Sequence, residues 1–180
     1  MKTLAHKIEL FNIPINPDSW ISLIENASKT YPLDPVSRRP HLTMELPNFI
    51  CDTDSEDTTL LRSEFLKCVV DPIYSYMTKY NIDNMELKKK FITVSKLLDG
   101  GMGAHRDDKL KDKDNFICMF YINDNFEGGE LSFPDLNIEY KPKPGDILIY
   151  QSKFLHEVKP MTGSPRYNIG IGFKGPTVQQ

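Results

Sequence analysis

Residues 116–158 read FICMFYINDNFEGGELSFPDLNIEYKPKPGDILIYQSKFLHEV, and the punctuation of this stretch decides the fold. Short apolar or alternating runs are cut every few residues by Asn, Asp, Gly and Pro, the pattern of consecutive β-strands joined by turns. Working outward to Phe91 and Phe173 gives eight strand candidates: 91–98, a short piece around His105, 116–123, 130–133, 137–141, 146–150, 154–158 and 166–173. Eight short strands separated by turns predict a jelly roll.

The first 90 residues carry a different period. Asp18 or Ser19 stands where a helix cap is needed, and Trp20, Leu23, Ile24 and Ala27 then recur at helical spacing, an apolar stripe that must lie against another layer. Pro32, Pro35 and Pro40 enforce a loop. A second helix is expected to start within the acidic group 54–57 and to run through Leu61, Phe65, Cys68 and Val69, with Pro72 bending or dividing it before Tyr80. Both helices read as supports for one face of a sheet. The expected architecture is mainly β in an α+β arrangement: helical support over 1–90, a jelly-roll core over 91–175, and a single domain over 1–180.

Composition narrows the function classes. The chain has 180 residues, too few for two independent cores of ordinary size. Hydrophobic residues at 39% and charged residues at 26% are those of a globular chain, and no apolar run approaches the roughly 20 residues needed to cross a bilayer. Residues 1–10 alternate charged and apolar side chains and lack a secretory pattern, so a cytoplasmic location and no membrane partner are expected. Cys51, Cys68 and Cys118 are odd in number and widely spaced, which fits reduced, buried thiols better than a disulfide framework or a paired-cysteine zinc site. A net charge of −3 and a pI near 5.8 argue against a nucleic-acid partner. The one basic run, Lys88 to Lys90, reads as the solvated end of a helix or linker.

The chemistry gathers around three residues. His105 and Asp107 are two apart, and extended geometry puts such residues on one side of a strand, so they can present a nitrogen and an oxygen to one ion. His156, in a separate strand candidate with Phe154 and Val158 sharing its parity, is the best third ligand. Two imidazoles and one carboxylate on one face of a metal leave the opposite positions open, as in non-haem Fe(II) sites that activate O₂. Zinc held by the same ligands would instead activate water. Arg166, ten residues beyond His156, suits the far carboxylate of a dicarboxylic co-substrate. Asn168, Gly170 and Gly172 share its parity and leave space on that face. Each residue alone has a structural alternative: a turn cap for His105, a satisfied core histidine for His156, a surface ion pair for Arg166.

Taken in order, 100–107 (GGMGAHRD), Phe120-Tyr121-Ile122-Asn123 followed by Gly128-Gly129-Glu130-Leu131, Pro144-Gly145-Asp146, and His156-Glu157-Val158 with Arg166 resemble the prolyl 4-hydroxylase-like branch of the Fe(II)- and 2-oxoglutarate-dependent oxygenases. The resemblance implies a double-stranded β-helix, with His105, Asp107 and His156 ligating iron and Arg166 and the Tyr121 hydroxyl holding 2-oxoglutarate. It further implies O₂ as the oxidant, ascorbate as an accessory reductant, and decarboxylation to succinate and CO₂ coupled to hydroxylation of a C–H bond. The implied partner is a peptide or protein substrate containing proline. Three departures stand out. Many members have Lys where Arg166 stands, and the family often has Tyr three and nine or ten residues before the first ligand, where this chain has Met102 and Ser95-Lys96. Those changes leave oxidation of another side chain or of a small metabolite as alternatives. From other classes, a non-catalytic jelly-roll binding module and a zinc hydrolase also fit the fold. The charge-dense segment 108–115 reads as a solvated loop, and because it follows two ligands directly a mobile cover over the substrate is the alternative.

Overall fold

A computed structural model describes residues 1–35, 41–47, 51–83, 86–87, 91–107 and 115–174. In chain order the elements are β1 (Lys2–Ala5), β2 (Ile8–Asn12), α1 (Pro17–Ala27), β3 (Asp34–Pro35), β4 (His41–Pro47), α2 (Glu56–Tyr80), β5 (Glu86–Leu87), β6 (Phe91–Leu97) and β7 (Gly100–His105). They continue with β8 (Phe116–Tyr121), β9 (Phe126–Gly128), β10 (Leu131–Phe133), β11 (Ile138–Tyr140), β12 (Asp146–Gln151), β13 (His156–Gly163) and β14 (Arg166–Lys174). The strands form two antiparallel sheets. The larger runs β1-β2-β12-β8-β14-β6-β4-β3, with β5 also on β14, and the smaller runs β11-β10-β13-β7, with β9 also on β13. This is the expected mainly β jelly roll with helical support, the double-stranded β-helix.

Alternation along the central strands builds the layers. Phe116, Cys118 and Phe120 of β8, Ile147 and Ile149 of β12, and Tyr167, Ile169 and Ile171 of β14 face the helices, where they pack with Ile24, Leu61, Phe65 and Val69. Their neighbours Met119, Tyr121, Leu148 and Tyr150 face the opposite way, toward the smaller sheet. Both faces are therefore buried, which is why these strands read as nearly continuous apolar runs. Trp20 anchors α1 by meeting Phe120 edge to face at 5.0 Å.

Several expectations need correction. Residues 1–90 are not helical support alone, because β1, β2 and β4 extend the larger sheet on both sides. The cap of α1 is Asn16, whose side chain accepts from the N–H groups of Asp18 and Ser19, with Pro17 at the first turn where its missing N–H costs nothing. Pro35 lies in the short strand β3 and not in a plain loop. Pro72 neither divides nor ends α2, which runs unbroken for 25 residues from a Ser55 cap to a left-handed Asn81. β13 starts at His156, not Phe154, and reaches Gly163, while β9 was not foreseen. Only Cys118 of the three free thiols is buried; Cys51 and Cys68 are half-buried. Residues 88–90 and 108–114, and with them the basic run and nearly all of the charge-dense segment, lie outside the described residues. Among the described residues, no helix is long and apolar enough to cross a membrane.

Candidate active site

β7 and β13 lie side by side in the smaller sheet, and their register sets His156 directly opposite His105. The two rings are 4.4 Å apart, centroid to centroid. Asp107 follows just beyond β7, where its backbone N–H donates to the Ser152 carbonyl at 3.1 Å. Its carboxylate lies 3.7 Å from His105 Nε2 and 3.5 Å from His156 Nε2. One ligand atom from each of the three falls within 4.8 Å of the others. These separations exceed a normal hydrogen bond and match what one ion with bonds of about 2.0–2.2 Å would bridge.

The rings are oriented for that task from behind. His105 Nδ1 lies 2.8 Å from the Gly103 carbonyl and His156 Nδ1 lies 3.0 Å from the Phe154 carbonyl. A carbonyl accepts only, so each Nδ1 carries the proton and each Nε2 presents its lone pair toward Asp107. Burial lowers the His156 pKa from its ordinary value, outweighing the upward pull of the Asp107 carboxylate. The ring is thus a neutral ligand near pH 7.

The larger sheet contributes the other half. Arg166 opens β14 and is only 3% exposed. Its Nη1 donates to the Gly129 carbonyl at 2.7 Å, its Cζ lies 5.1 Å from the centre of the Tyr121 ring, and its Nε is buried without a hydrogen-bond partner. Among the described residues no carboxylate is in ion-pair range of it. A buried guanidinium with a spare donor and no counter-ion is costly unless an anion arrives. Burial lowers its pKa, opposed by Tyr121, yet a guanidinium stays protonated. Burial likewise pushes the Tyr121 hydroxyl up, outweighing the downward pull of Arg166, which keeps it a protonated donor.

All five residues singled out from sequence line one cavity of about 360 Å³. Asn168, Gly170 and Gly172 line it too, as their parity with Arg166 requires. So do Ser95 and Met102, the two positions where Tyr is absent. Sequence reasoning missed His41, Thr43 and Thr93, which join the same wall because β4 pairs with β6 and β6 with β14. The donor set of two imidazole nitrogens and one carboxylate, open on its cavity side, fits Fe(II). The unpartnered Arg166 Nε fits the far carboxylate of 2-oxoglutarate.

The fold is a jelly roll and the donor set suits a non-haem iron centre, and comparison with known proteins points the same way. Residues 92–173, a little under half of the chain, match the model of the 2OG-Fe(II) oxygenase superfamily. A PKHD-type hydroxylase of Colwellia psychrerythraea is 33% identical over 85 residues, 42% of this chain and 38% of that protein. The chain spans less than half the length of the curated relatives it matches. The viral collagen prolyl hydroxylase of Paramecium Bursaria Chlorella virus-1, bound to 2OG, superposes with a TM-score of 0.64 at 19% identity over 94% of this chain and 96% of that one. A Trichoplax adhaerens prolyl hydroxylase in complex with a hypoxia inducible factor peptide fragment gives 0.67 at 18% identity, over 95% of this chain and 84% of that one. At these identities the two structures speak for the shared fold.

Proposed function

We propose that this chain is an Fe(II)- and 2-oxoglutarate-dependent dioxygenase that hydroxylates a C–H bond of a second substrate, and that this substrate is a prolyl residue in a peptide or protein. The observation that carries the reading is the convergence of His105, Asp107 and His156 within 4.8 Å on the wall of a cavity that also holds the buried Arg166. When bound, iron and 2-oxoglutarate supply the oxidation, in which one atom of O₂ goes to succinate as CO₂ leaves and the other goes to the substrate as hydroxyl.

The protein's own groups bind, orient and shield. His105 and His156 offer Nε2 because their Nδ1 protons are held by the Gly103 and Phe154 carbonyls. Asp107 adds the negative charge, with its backbone anchored on Ser152. Arg166 receives the far carboxylate of 2-oxoglutarate, and the protonated Tyr121 hydroxyl donates to the same group. Ile117, Leu131 and Val158 line the cavity with hydrocarbon and exclude water from the reacting centre.

Two features support proline as the oxidised residue. The relatives and structural neighbours include PKHD-type and prolyl hydroxylases. In addition, Asp107 is the one acidic side chain among the described cavity-lining residues, so a cationic Lys or Arg substrate would meet no free counter-charge, whereas a prolyl ring needs none. Ser95 and Met102 make the wall here differ from that of members with Tyr, which keeps another uncharged side chain or a small metabolite as the second reading.

The test is to incubate Fe(II)-loaded protein with 2-oxoglutarate, O₂, ascorbate and a panel of proline-containing peptides, following succinate and peptide mass together. The expected result is succinate with a gain of one oxygen localised to proline. Succinate formed while every peptide keeps its mass would overturn the prolyl assignment and leave the oxygenase assignment standing.

A further inference from the structure

Across the larger sheet, the registers of β4, β6, β14 and β8 put Thr43 opposite Ser95, Ser95 opposite Asn168 and Asn168 opposite Tyr121. Residues directly opposite one another in antiparallel strands point to the same face, and all four line the cavity. With strands about 4.8 Å apart, the row runs roughly 14 Å from Tyr121 to β4. Every member carries a neutral group that can both donate and accept a hydrogen bond. The Tyr121 hydroxyl interacts with Arg166 and belongs with the co-substrate end. The other three members lead away from it.

Asn168 is only 7% exposed, and its side-chain amide makes no hydrogen bond to any described residue. The Ser95 and Thr43 hydroxyls, half-buried on the same wall, make none either. A primary amide so far withdrawn from bulk water, with its donors and acceptor unspent on the protein, is costly unless a ligand completes it. The neighbours set the chemistry of that ligand. A carboxylate is already served by Arg166, one row deeper with Leu97 and His41. The row from Asn168 to Thr43 carries no charge, and an amide offers another amide a donor and an acceptor at once, so a peptide group fits it at two points. Asn168 stands two residues, about 7 Å, along β14 from Arg166. An occupant of the row therefore lies beside the bound co-substrate, in the same cavity as His105, Asp107 and His156.

We propose that Asn168, Ser95 and Thr43 form the subsite for the main chain of a peptide substrate: the Asn168 amide pairs with a backbone peptide group next to the residue that is oxidised, and the Ser95 and Thr43 hydroxyls receive the next one toward β4. The inference rests on the reading of the cavity as an oxygenase site for a peptide, and adds the side of the co-substrate on which that peptide lies. Recognition through the backbone demands an N–H on the neighbouring residue and tolerates different side chains there. The three residues then set specificity and hold neither the metal nor 2-oxoglutarate.

The test uses the full chain loaded with Mn(II) and 2-oxoglutarate, titrated calorimetrically with a peptide of alternating proline and alanine and with the same peptide N-methylated at every alanine. N-methylation removes the N–H donors and keeps the prolines. The wild type is compared with Asn168→Leu, which keeps the size of the side chain, and with Ser95→Ala and Thr43→Val, which alter half-buried hydroxyls and give the same readout should the buried replacement fail to fold. The expected outcome is a Kd for the unmodified peptide raised about tenfold in Asn168→Leu and roughly threefold in each of the other two, as for loss of one neutral hydrogen bond or part of one. N-methylation should weaken binding to the wild type by a similar factor and to Asn168→Leu hardly further, because both changes remove the same contact. Affinities for Mn(II) and 2-oxoglutarate, titrated separately, should stay at the wild-type values. An unchanged peptide Kd in the three variants would overturn the proposal. A parallel rise in the 2-oxoglutarate Kd would also overturn it, by making Asn168 part of the co-substrate site. A wild type that takes up 2-oxoglutarate but neither peptide removes the peptide reading itself and this inference with it, an outcome distinguishable from failure at Asn168 alone.

Discussion

Arg166 divides the oxygenase reading from a purely structural one, because a buried guanidinium with a spare donor has to be explained by something it binds. Arg166→Ala is expected to raise KM for 2-oxoglutarate roughly 10- to 100-fold, since hydrogen bonds to charged groups contribute about 1.5–3 kcal/mol each. Iron content should stay near that of the wild type, which metal analysis of the same preparation checks. Parity made Arg166, Asn168, Gly170 and Gly172 legible as one face of the last strand, and it put His105 and Asp107 on one side even though Asp107 lies just beyond the end of β7. His41, Thr43 and Thr93 were not legible as wall residues. Their position depends on the pairing of β4 with β6 and β6 with β14, and nothing local in 41–47 encodes its partner.

β2 and α2 meet at Glu9, a fully buried carboxylate that accepts from Lys79 Nζ, the Tyr80 hydroxyl and the Thr3 hydroxyl. Burial pushes its pKa up, but the hydrogen bonds from Lys79, Tyr80 and Thr3 together win and hold it below the usual carboxylate value. A carboxylate depressed in the fold contributes stability above its unfolded pKa and loses it as pH falls through the folded one. Denaturation followed against pH should therefore show stability declining below about pH 4, the unfolded glutamate range. Glu9→Gln should flatten that decline and cost about 1–3 kcal/mol near pH 7, because Lys79 loses its ionic acceptor. Asn16→Ala should cost about 1 kcal/mol in the same assay by removing the cap of α1. The sequence showed α1 by its apolar period but not its cap, since Asn16 precedes a proline at the first turn and Asp18 offered the same chemistry two residues later. The alternation of charged and apolar residues in 1–10 was itself a strand signal for β1 and β2. It has meaning as structure only once β12 is present to pair with β2.

Across the two sheets the labour is divided. The smaller sheet carries His105 and His156, with Asp107 just beyond the end of β7, and the larger carries Arg166 and Tyr121. A metal at the triad would staple β7 to β13 and stabilise the fold in proportion to occupancy. At a hundredfold excess over its Kd a bound ion adds about 2.7 kcal/mol, which for a chain of this size raises Tm by about 5 °C or more. That rise should be absent in Asp107→Ala.

The most direct trial of the central claim is anaerobic loading with Fe(II), a count of bound iron per chain, and then admission of O₂ with 2-oxoglutarate while succinate is measured. One iron per chain and succinate are expected from the wild type, and neither from His156→Ala or Asp107→Ala. Succinate formed undiminished by those variants, or iron bound by them as by the wild type, would contradict that claim.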